Sequence, residues 1–266
     1  MQPASDRWDA GDAYESFMGR WSRQVADHFL DWLAPMPGLN WLDFGCGTGA
    51  LSQAICRRVQ PNSLVGCDPS PDFVSYARNH VADCPATFVV TNGDTLPSCQ
   101  GGFDVIVSGL VLNFLAKPLA VVQSLGERLR PGGTVGAYVW DYAEGMQLLR
   151  IFWQEAATLN PSAADLDEAR RFPLCQPDRL VDLLRHAGMR EVATTALEIK
   201  TVFRKFDDLW SPFLAGTGPA PSYVASLDAD AQNYLAFRLR QRLEPAPDGS
   251  ISLIARAFGV QGTRPG

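Results

Sequence analysis

Apolar positions in the middle of the chain come in short runs separated by longer amphipathic stretches. The runs at Asn40–Asp43, Ser63–Cys67, Thr87–Val90, Phe103–Val107 and Thr134–Tyr138 sit between turn residues, which predicts five strands. The fourth is nearly all apolar, as a strand buried on both faces should be. Leu51–Val59, Pro71–His80 and Pro118–Leu129 have helical periodicity. Ser70 is placed to cap the second of these helices, with Pro71 at its first position. Arg130-Pro131-Gly132-Gly133 is expected to end the third. Strands alternating with helices imply βαβ units, a parallel sheet and right-handed crossovers.

The flanks are less regular. In residues 8–33, Tyr14, Phe17 with Met18, Trp21, Val25 and Phe29 recur at helical spacing, and Pro35-Met36-Pro37-Gly38 ends the pattern. This predicts a helix that either faces the core or covers a ligand. Residues 144–159 and Pro177–Gly188 read as helices, the latter closed by its glycine. Val192–Phe203 and Ser250–Phe258 read as strands six and seven. Between them, residues 204–248 include Ala231, Leu235, Leu239 and Leu243 at four-residue spacing, with Arg238, Arg240 and Arg242 expected to face elsewhere. Gly262–Gly266 reads as a loose tail.

Composition narrows the classes. A hydrophobic share of 46% and a charged share of 20% suit a globular domain. A net charge of −6 with no long basic run argues against nucleic acid and anionic membranes as partners. No apolar run reaches the ~18 residues a membrane span needs. The start of the chain lacks the build of a signal peptide, so a cytoplasmic protein is expected. Cys46, Cys56, Cys67, Cys84, Cys99 and Cys175 contain no C-x-x-C pair, and with three histidines no zinc spacing appears, so no metal is expected. All six cysteines are expected to be reduced thiols.

The chemistry concentrates at Asn40–Ser52, where an apolar run ends in Asp43 and glycines follow at 45, 47 and 49. Those glycines allow positive φ and close approach of a ligand to the backbone. The helix opening near Gly49 aims its free N–H groups at that ligand. Asp43-x-Gly45-Cys46-Gly47-Thr48-Gly49 resembles the first motif of the class I S-adenosylmethionine (SAM) dependent methyltransferases. Among these it is most similar to the small-molecule enzymes of the ubiquinone and menaquinone biosynthesis type. Leu129-Arg130-Pro131-Gly132-Gly133 resembles the family's turn before strand five, and Tyr14-x-x-Phe17-Met18-x-x-Trp21-Ser22 its N-terminal segment. The resemblance implies an α/β, Rossmann-like, doubly wound, seven-stranded and mostly parallel sheet with helical lid insertions. It also implies SAM as cofactor, S-adenosylhomocysteine as product, and a hairpin of strands six and seven. Gly45-x-Gly47-x-x-Ala50 also fits a dinucleotide fingerprint, leaving an NAD(P)-dependent oxidoreductase as an alternative. A further alternative is a SAM-fold protein that binds SAM without methyl transfer.

Open α/β sheets bind ligands at the carboxyl ends of their strands. Asp68 ends strand two and is suited to accept from ribose hydroxyls, since capping falls to Ser70. By resemblance, Asp94 meets the adenine amino group and Asp43 orients the loop or reaches the SAM amino group. The expected cofactor set is Tyr14, Trp21, Asp43, Gly45, Cys46, Gly47, Gly49, Asp68, Pro69, Ser70, Asp94, Thr95, Leu96, Ser108, Gly109 and Asn113. Tyr14, Phe17, Trp21 and Phe114 are candidate aromatic faces for the sulfonium. No (Asp/Asn/Ser)-Pro-Pro-aromatic motif and no paired glutamates of arginine methyltransferases occur. A small apolar or amphipathic acceptor is therefore expected, in a pocket built by Trp140–Tyr142, residues 144–160 and the 204–248 insertion, with Gly216–Pro219 as a hinge. Asp141, Tyr142 and His28 are candidate catalytic residues; His80 and His186 read as solvated cations at helix ends. One domain over residues 1–266 is expected, with an N-terminal helical lid over 1–34 and a helical insertion over 204–248. A homodimer is compatible with the chain.

Overall fold

Strand β1 (Asn40–Phe44) lies at the centre of the sheet because both of its faces are apolar: Trp41 and Leu42 are fully buried. In the computed structural model, which describes residues 19–82, 84–91, 95–215 and 218–266, β1 pairs in parallel with β2 (Ser63–Asp68) on one side and β4 (Phe103–Gly109) on the other. β3 (Ala86–Val90) extends the β2 side and β5 (Leu129–Trp140) the β4 side, both in parallel. β7 (Ile251–Thr263) runs antiparallel to β5, and β6 (Arg190–Phe203) completes the order β3-β2-β1-β4-β5-β7-β6. The expected doubly wound, mostly parallel sheet of seven strands is thus present. Its strand order reverses at β1, which places a ligand crevice beside the carboxyl end of that strand.

The chain divides into two compact units, with β6 and β7 passing from one to the other. A sheet unit comprises Ser22–Trp140, Pro173–Leu197 and Ala257–Gly266. In it, α1 (Arg20–Leu33) presents Val25, Ala26, Phe29 and Leu30 to the core. The Phe29 ring lies 4.9 Å from that of Tyr138, and a Cβ on Gly136 of β5 would stand 2.9 Å from Phe29 Cζ. The helices α2 (Ala50–Val59), α3 (Pro71–His80), α4 (Pro118–Arg128) and α7 (Pro177–His186) occupy the expected positions. Ser70 Oγ accepts from Phe73 N–H at 3.3 Å, as its capping role requires. Tyr14, Phe17, Met18 and Asp94 lie outside the described residues.

Two expectations fail in this unit because pairing across the sheet overrides local turn chemistry. Arg130-Pro131-Gly132-Gly133 is not a separate turn: β5 begins at Leu129, opposite Phe103, and the register then jumps to Val105 opposite Thr134. The extra residues bulge out, with Gly132 at φ 75°. Gly262–Gly266 is not a loose tail. Gly262 pairs with Val135, Thr263 with Thr134, and Arg264 N–H donates to Gly133 O at 2.8 Å. Gly262 is a space requirement, since a Cβ there would stand 2.9 Å from Met189 Cβ.

A third correction concerns the cysteines: Cys56 and Cys84 form a disulfide. The remaining four are not in disulfides. The pairing follows from tertiary contact between α2 and the segment after α3, which spacing along the chain does not encode.

The helical unit comprises Asp141–Phe172, Glu198–Arg256 and the segment ending at Trp21. It contains α5 (Gln147–Leu159), α6 (Glu168–Arg171), α8 (Phe206–Trp210), α9 (Pro219–Ala225) and α10 (Ala229–Arg242). Phe152 stacks on Phe213 with centroids 4.8 Å apart, and Tyr223 closes on Trp153 at 5.7 Å. Leu235 and Leu239 of α10 are fully buried, as their spacing predicts. Arg238 and Arg242 do not simply face away, however: each reaches back to the buried Glu155, at 2.8 and 2.9 Å. A buried carboxylate needs such partners, and α10 supplies them from the rows beside its apolar stripe. Among the described residues no helix is long and apolar enough to cross a membrane, and no cluster of acidic, His and Cys side chains is arranged to hold a metal.

Candidate active site

The turn between β1 and α2 is shaped by its glycines. Gly45, Gly47 and Gly49 have φ of 72°, 53° and 90°. A Cβ on Gly45 would stand 2.5 Å from Val111 Cγ2, and one on Gly49 would stand 2.7 Å from Val81 Cγ2. At Gly47 a Cβ would meet nothing within 4 Å. The outer two glycines are thus required by the protein's own packing, while the middle one borders open space. Cys67 O anchors the turn by accepting from the N–H groups of Gly45 and Cys46, at 2.8 and 3.0 Å.

Two acids flank this turn. Asp68 Oδ2 accepts from Gly47 N–H at 3.0 Å and Oδ1 from Ser70 N–H at 2.9 Å. A carboxylate offers about four lone-pair directions, so each oxygen keeps one for another donor. Burial raises the Asp68 carboxyl above its usual range, and the bonds from Ser70 and Gly47 oppose that rise. Asp43 is 1% exposed and accepts from Ser52 Oγ at 2.6 Å through Oδ2. Its Oδ1 is buried without a hydrogen-bond partner. Burial pushes the Asp43 carboxyl up to about 7; the bond from Ser52 opposes this, and the Asp68 charge adds to it. An unsatisfied buried carboxylate oxygen is costly and is relieved by a cation or an N–H donor. The aminoacyl ammonium of SAM has that chemistry, and the adenosyl ribose has the hydroxyls for Asp68. The residues present therefore fit SAM.

The other expected cofactor residues are distributed as follows. Cys46 and Cys67 are buried, and burial pushes the Cys67 thiol up to about 12 and the Cys46 thiol higher still. Cys46 fills space beside Val74, Ala77 and Phe88, and both thiols are poor nucleophiles. Pro69 is exposed and Ser70 half-buried at the end of β2. Thr95 O accepts from Thr91 Oγ1 at 3.0 Å, and Leu96 is buried. Ser108 Oγ donates to Phe44 O at 2.9 Å, tying β4 to β1. Gly109 has the Tyr138 ring against it, with the hydroxyl oxygen 2.5 Å from where a Cβ would sit. Asn113 Nδ2 is buried without a hydrogen-bond partner. Trp21, in the helical unit, is buried and edge-on to Phe203 at 5.5 Å. Phe114 is 41% exposed.

Of the candidate catalytic residues, Asp141 has its capacity filled. Its Oδ2 accepts from Arg256 at 2.8 Å (Nε) and 2.6 Å (Nη2), and its Oδ1 from the N–H groups of Ala143 and Glu144. Such a carboxylate organises the segment after β5 and has no free lone pair for an acceptor's proton. Tyr142 is buried with its ring 5.6 Å from Phe172. His28 is exposed on α1, outside its buried stripe of Val25, Ala26, Phe29 and Leu30. His80 and His186 are the exposed last residues of α3 and α7, as expected of helix-end histidines. Three contributors had no sequence signal: Ser52 beneath Asp43, Val111 against Gly45, and Leu110. Leu110 takes φ 62° and donates its N–H to Tyr138 O at 2.8 Å, a left-handed conformation that non-glycine residues seldom adopt.

A family model described as a methyltransferase domain matches residues 42–135, the stretch from β1 into β5. The ubiquinone biosynthesis O-methyltransferase of Cereibacter sphaeroides is 30% identical over 210 residues, covering 77% of this chain and 81% of that enzyme. Among solved structures, a Bacillus halodurans protein described as a methyltransferase aligns with a TM-score of 0.57 at 12% identity, over 91% of this chain and 99% of that one. A Haemonchus contortus phosphoethanolamine N-methyltransferase with S-adenosylhomocysteine bound aligns at 0.59 and 16% identity, over 96% of this chain and 57% of that one. The two structures carry the fold, and the relative in sequence carries the family. Together with the glycine turn and its two acids, they place the chain among the class I SAM-dependent methyltransferases, with SAM as its cofactor.

Proposed function

We propose that this enzyme methylates an oxygen of a small organic molecule with an apolar body, and that the glycine turn, Asp43 and Asp68 hold SAM. The observation that carries the cofactor assignment is the unpartnered Oδ1 of Asp43 beneath a turn that is open at Gly47. SAM, when bound, supplies an electrophilic methyl group on a sulfonium. Gly47 gives the ligand room against the backbone, Asp68 takes the ribose hydroxyls, and Asp43 takes the amino group. What the chain adds to the chemistry is alignment, which can contribute ~7–11 kcal/mol.

On the acceptor side, the helical unit holds a partly open cleft. Trp21, Met146, Leu149, Phe203, Leu209 and Ile254 line it, and none of its lining residues is charged. Ligand pockets are commonly lined by apolar side chains. A lining without an acid or a base suits an acceptor whose hydroxyl is itself acidic. Oxygen as the attacked atom is supported by the relative's description as an O-methyltransferase. We read residues 1–266 as one functional domain, with residues 204–248 as the acceptor lid; the proposed hinge residues Gly216 and Thr217 lie outside the described set.

An S-adenosylhomocysteine release assay with a panel of acceptors tests this reading. Phenols with alkyl tails should turn over, and Leu149→Trp should raise their KM while SAM affinity stays unchanged. Turnover confined to amines, or to fully charged polar acceptors, would overturn the acceptor class. Stabilisation of the fold by NADP and not by SAM would overturn the cofactor assignment.

A further inference from the structure

We propose that Cys56 and Cys84 form a reversible thiol–disulfide site whose state sets how firmly the glycine turn holds SAM. Gln53 and Cys56 lie at i and i+3 on one face of α2, and Gly49 is the residue that caps its start. Each meets the end of α3 or the segment after it. The Gly49 Cβ position is 2.7 Å from Val81 Cγ2 and 3.3 Å from Ala77 Cβ. Gln53 Nε2 donates to His80 O at 3.5 Å. Cys56 is bonded to Cys84, 28 residues on. A single seam therefore runs from the disulfide to the third glycine of the cofactor turn, over roughly two helical turns or ~10 Å.

The covalent bond is the strongest of these three links. The other two are the close approach of Val81 to Gly49, which leaves no room for a side chain there, and a long hydrogen bond. On its far side, Pro85, next to Cys84, is already held by the sheet, where Leu64 N–H donates to Pro85 O at 3.0 Å. Breaking the disulfide leaves that anchor in place and loosens the α2 side, which carries the glycine turn. Cys56 and Cys84 are both half-buried, which leaves the bond accessible to a soluble thiol.

The exchange balances with a dithiol as reductant. Its thiolate attacks one sulfur, the S–S bond breaks and a mixed disulfide forms. Its second thiol then closes a cyclic disulfide and leaves. Two electrons and two protons end on Cys56 and Cys84. Glutathione disulfide, as oxidant, reverses the reaction.

The proposal rests on the cofactor site assigned above, and the test separates the two. S-adenosylhomocysteine is titrated calorimetrically into the oxidised full chain, the same protein after dithiothreitol, and Cys56→Ser/Cys84→Ser, with Asp68→Ala as the site control. Reduction should weaken binding roughly 5- to 10-fold, at the low end of coupling between sites. It should lower Tm by roughly 5–15 °C, and glutathione disulfide should restore both. The double variant should match the reduced protein and ignore dithiothreitol; if it does not fold, the wild-type titration decides alone. Equal affinity of oxidised and reduced protein, with Asp68→Ala still impaired, overturns the redox proposal and spares the cofactor site. Unimpaired binding by a folded Asp68→Ala overturns both. Free Cys56 and Cys84 thiols in protein treated with glutathione disulfide, read by alkylation and mass spectrometry, also overturn it.

Discussion

Gly47 donates its backbone N–H to Asp68 Oδ2 at 3.0 Å, so the acid that ends β2 holds the middle glycine of the turn after β1. This bond joins neighbouring strands of the sheet at their carboxyl ends, where the strand order reverses. It orients the Asp68 carboxylate and leaves each oxygen one lone pair. Asp68→Asn should therefore weaken S-adenosylhomocysteine binding by ~1.5–3 kcal/mol, the range of a hydrogen bond to a charged group. The variant should fold, because an amide oxygen can still accept from Gly47. Calorimetry showing wild-type affinity in the folded variant would remove Asp68 from the cofactor site.

The two glycines Gly45 and Gly47 should respond differently to a single added methyl group. Gly45→Ala places a Cβ 2.5 Å from Val111 Cγ2 at φ 72° and should impair folding, seen as a Tm several degrees lower or as insoluble protein. Gly47→Ala meets no protein atom within 4 Å and carries only the left-handed backbone penalty, ~1–2 kcal/mol. Its fold should survive while SAM binding is lost, because the new methyl occupies the ligand's approach. Intact SAM affinity in Gly47→Ala would show that the ligand passes elsewhere.

Asp43 gives cofactor binding a pH dependence. Its carboxyl is raised to about 7 by burial, and an ammonium partner favours the ionised form. Below that value binding must first remove a proton, so affinity should fall toward tenfold per pH unit as pH drops from 7 to 5.5. Asp43→Asn should bind more weakly at pH 7 and lose most of this dependence. Asp68, whose carboxyl is also raised and whose charge acts on Asp43, would carry any slope that remains. A wild-type affinity that is flat over this range would contradict the ammonium assignment.

In the helical unit, Glu168 is a buried carboxyl whose oxygen accepts from Trp153 Nε1, and burial raises it to about 7. Its unfolded value is near 4.5, so between 4.5 and 7 the folded protein binds the extra proton. Stability contributed by this group is therefore greatest at low pH and is lost as pH rises through that window. Glu168→Gln should be the more stable protein at pH 8, and the gap should close toward pH 5. Denaturant titrations at the two pH values check this; a gap that widens toward pH 5 would reverse the sign.

Much of the fold was legible in the chain because its signals are local. Short apolar runs, Ser70 before Pro71, and glycines at 45, 47 and 49 act through their own backbone or nearest neighbours, so the parallel part of the sheet and the cofactor turn could be read directly. The same locality let the chain place Asp68 at the end of β2 and leave capping to Ser70. What tertiary structure decided was every feature that depends on two distant segments meeting. Gly262 resembles a breaker, yet it lies inside β7 because Met189, Val192 and Leu184 occupy the space a side chain would need. Arg130–Gly133 has turn chemistry, yet Phe103 pairs with Leu129 and turns the stretch into a bulge within β5. Asp141 looked available for catalysis until Arg256 closed on it from β7. Cys56 and Cys84 became a pair only when α2 lay along the end of α3. The burial that raises Asp43 and leaves its Oδ1 without a partner comes likewise from the packed sheet, whereas the position of the acid was already written at the end of β1.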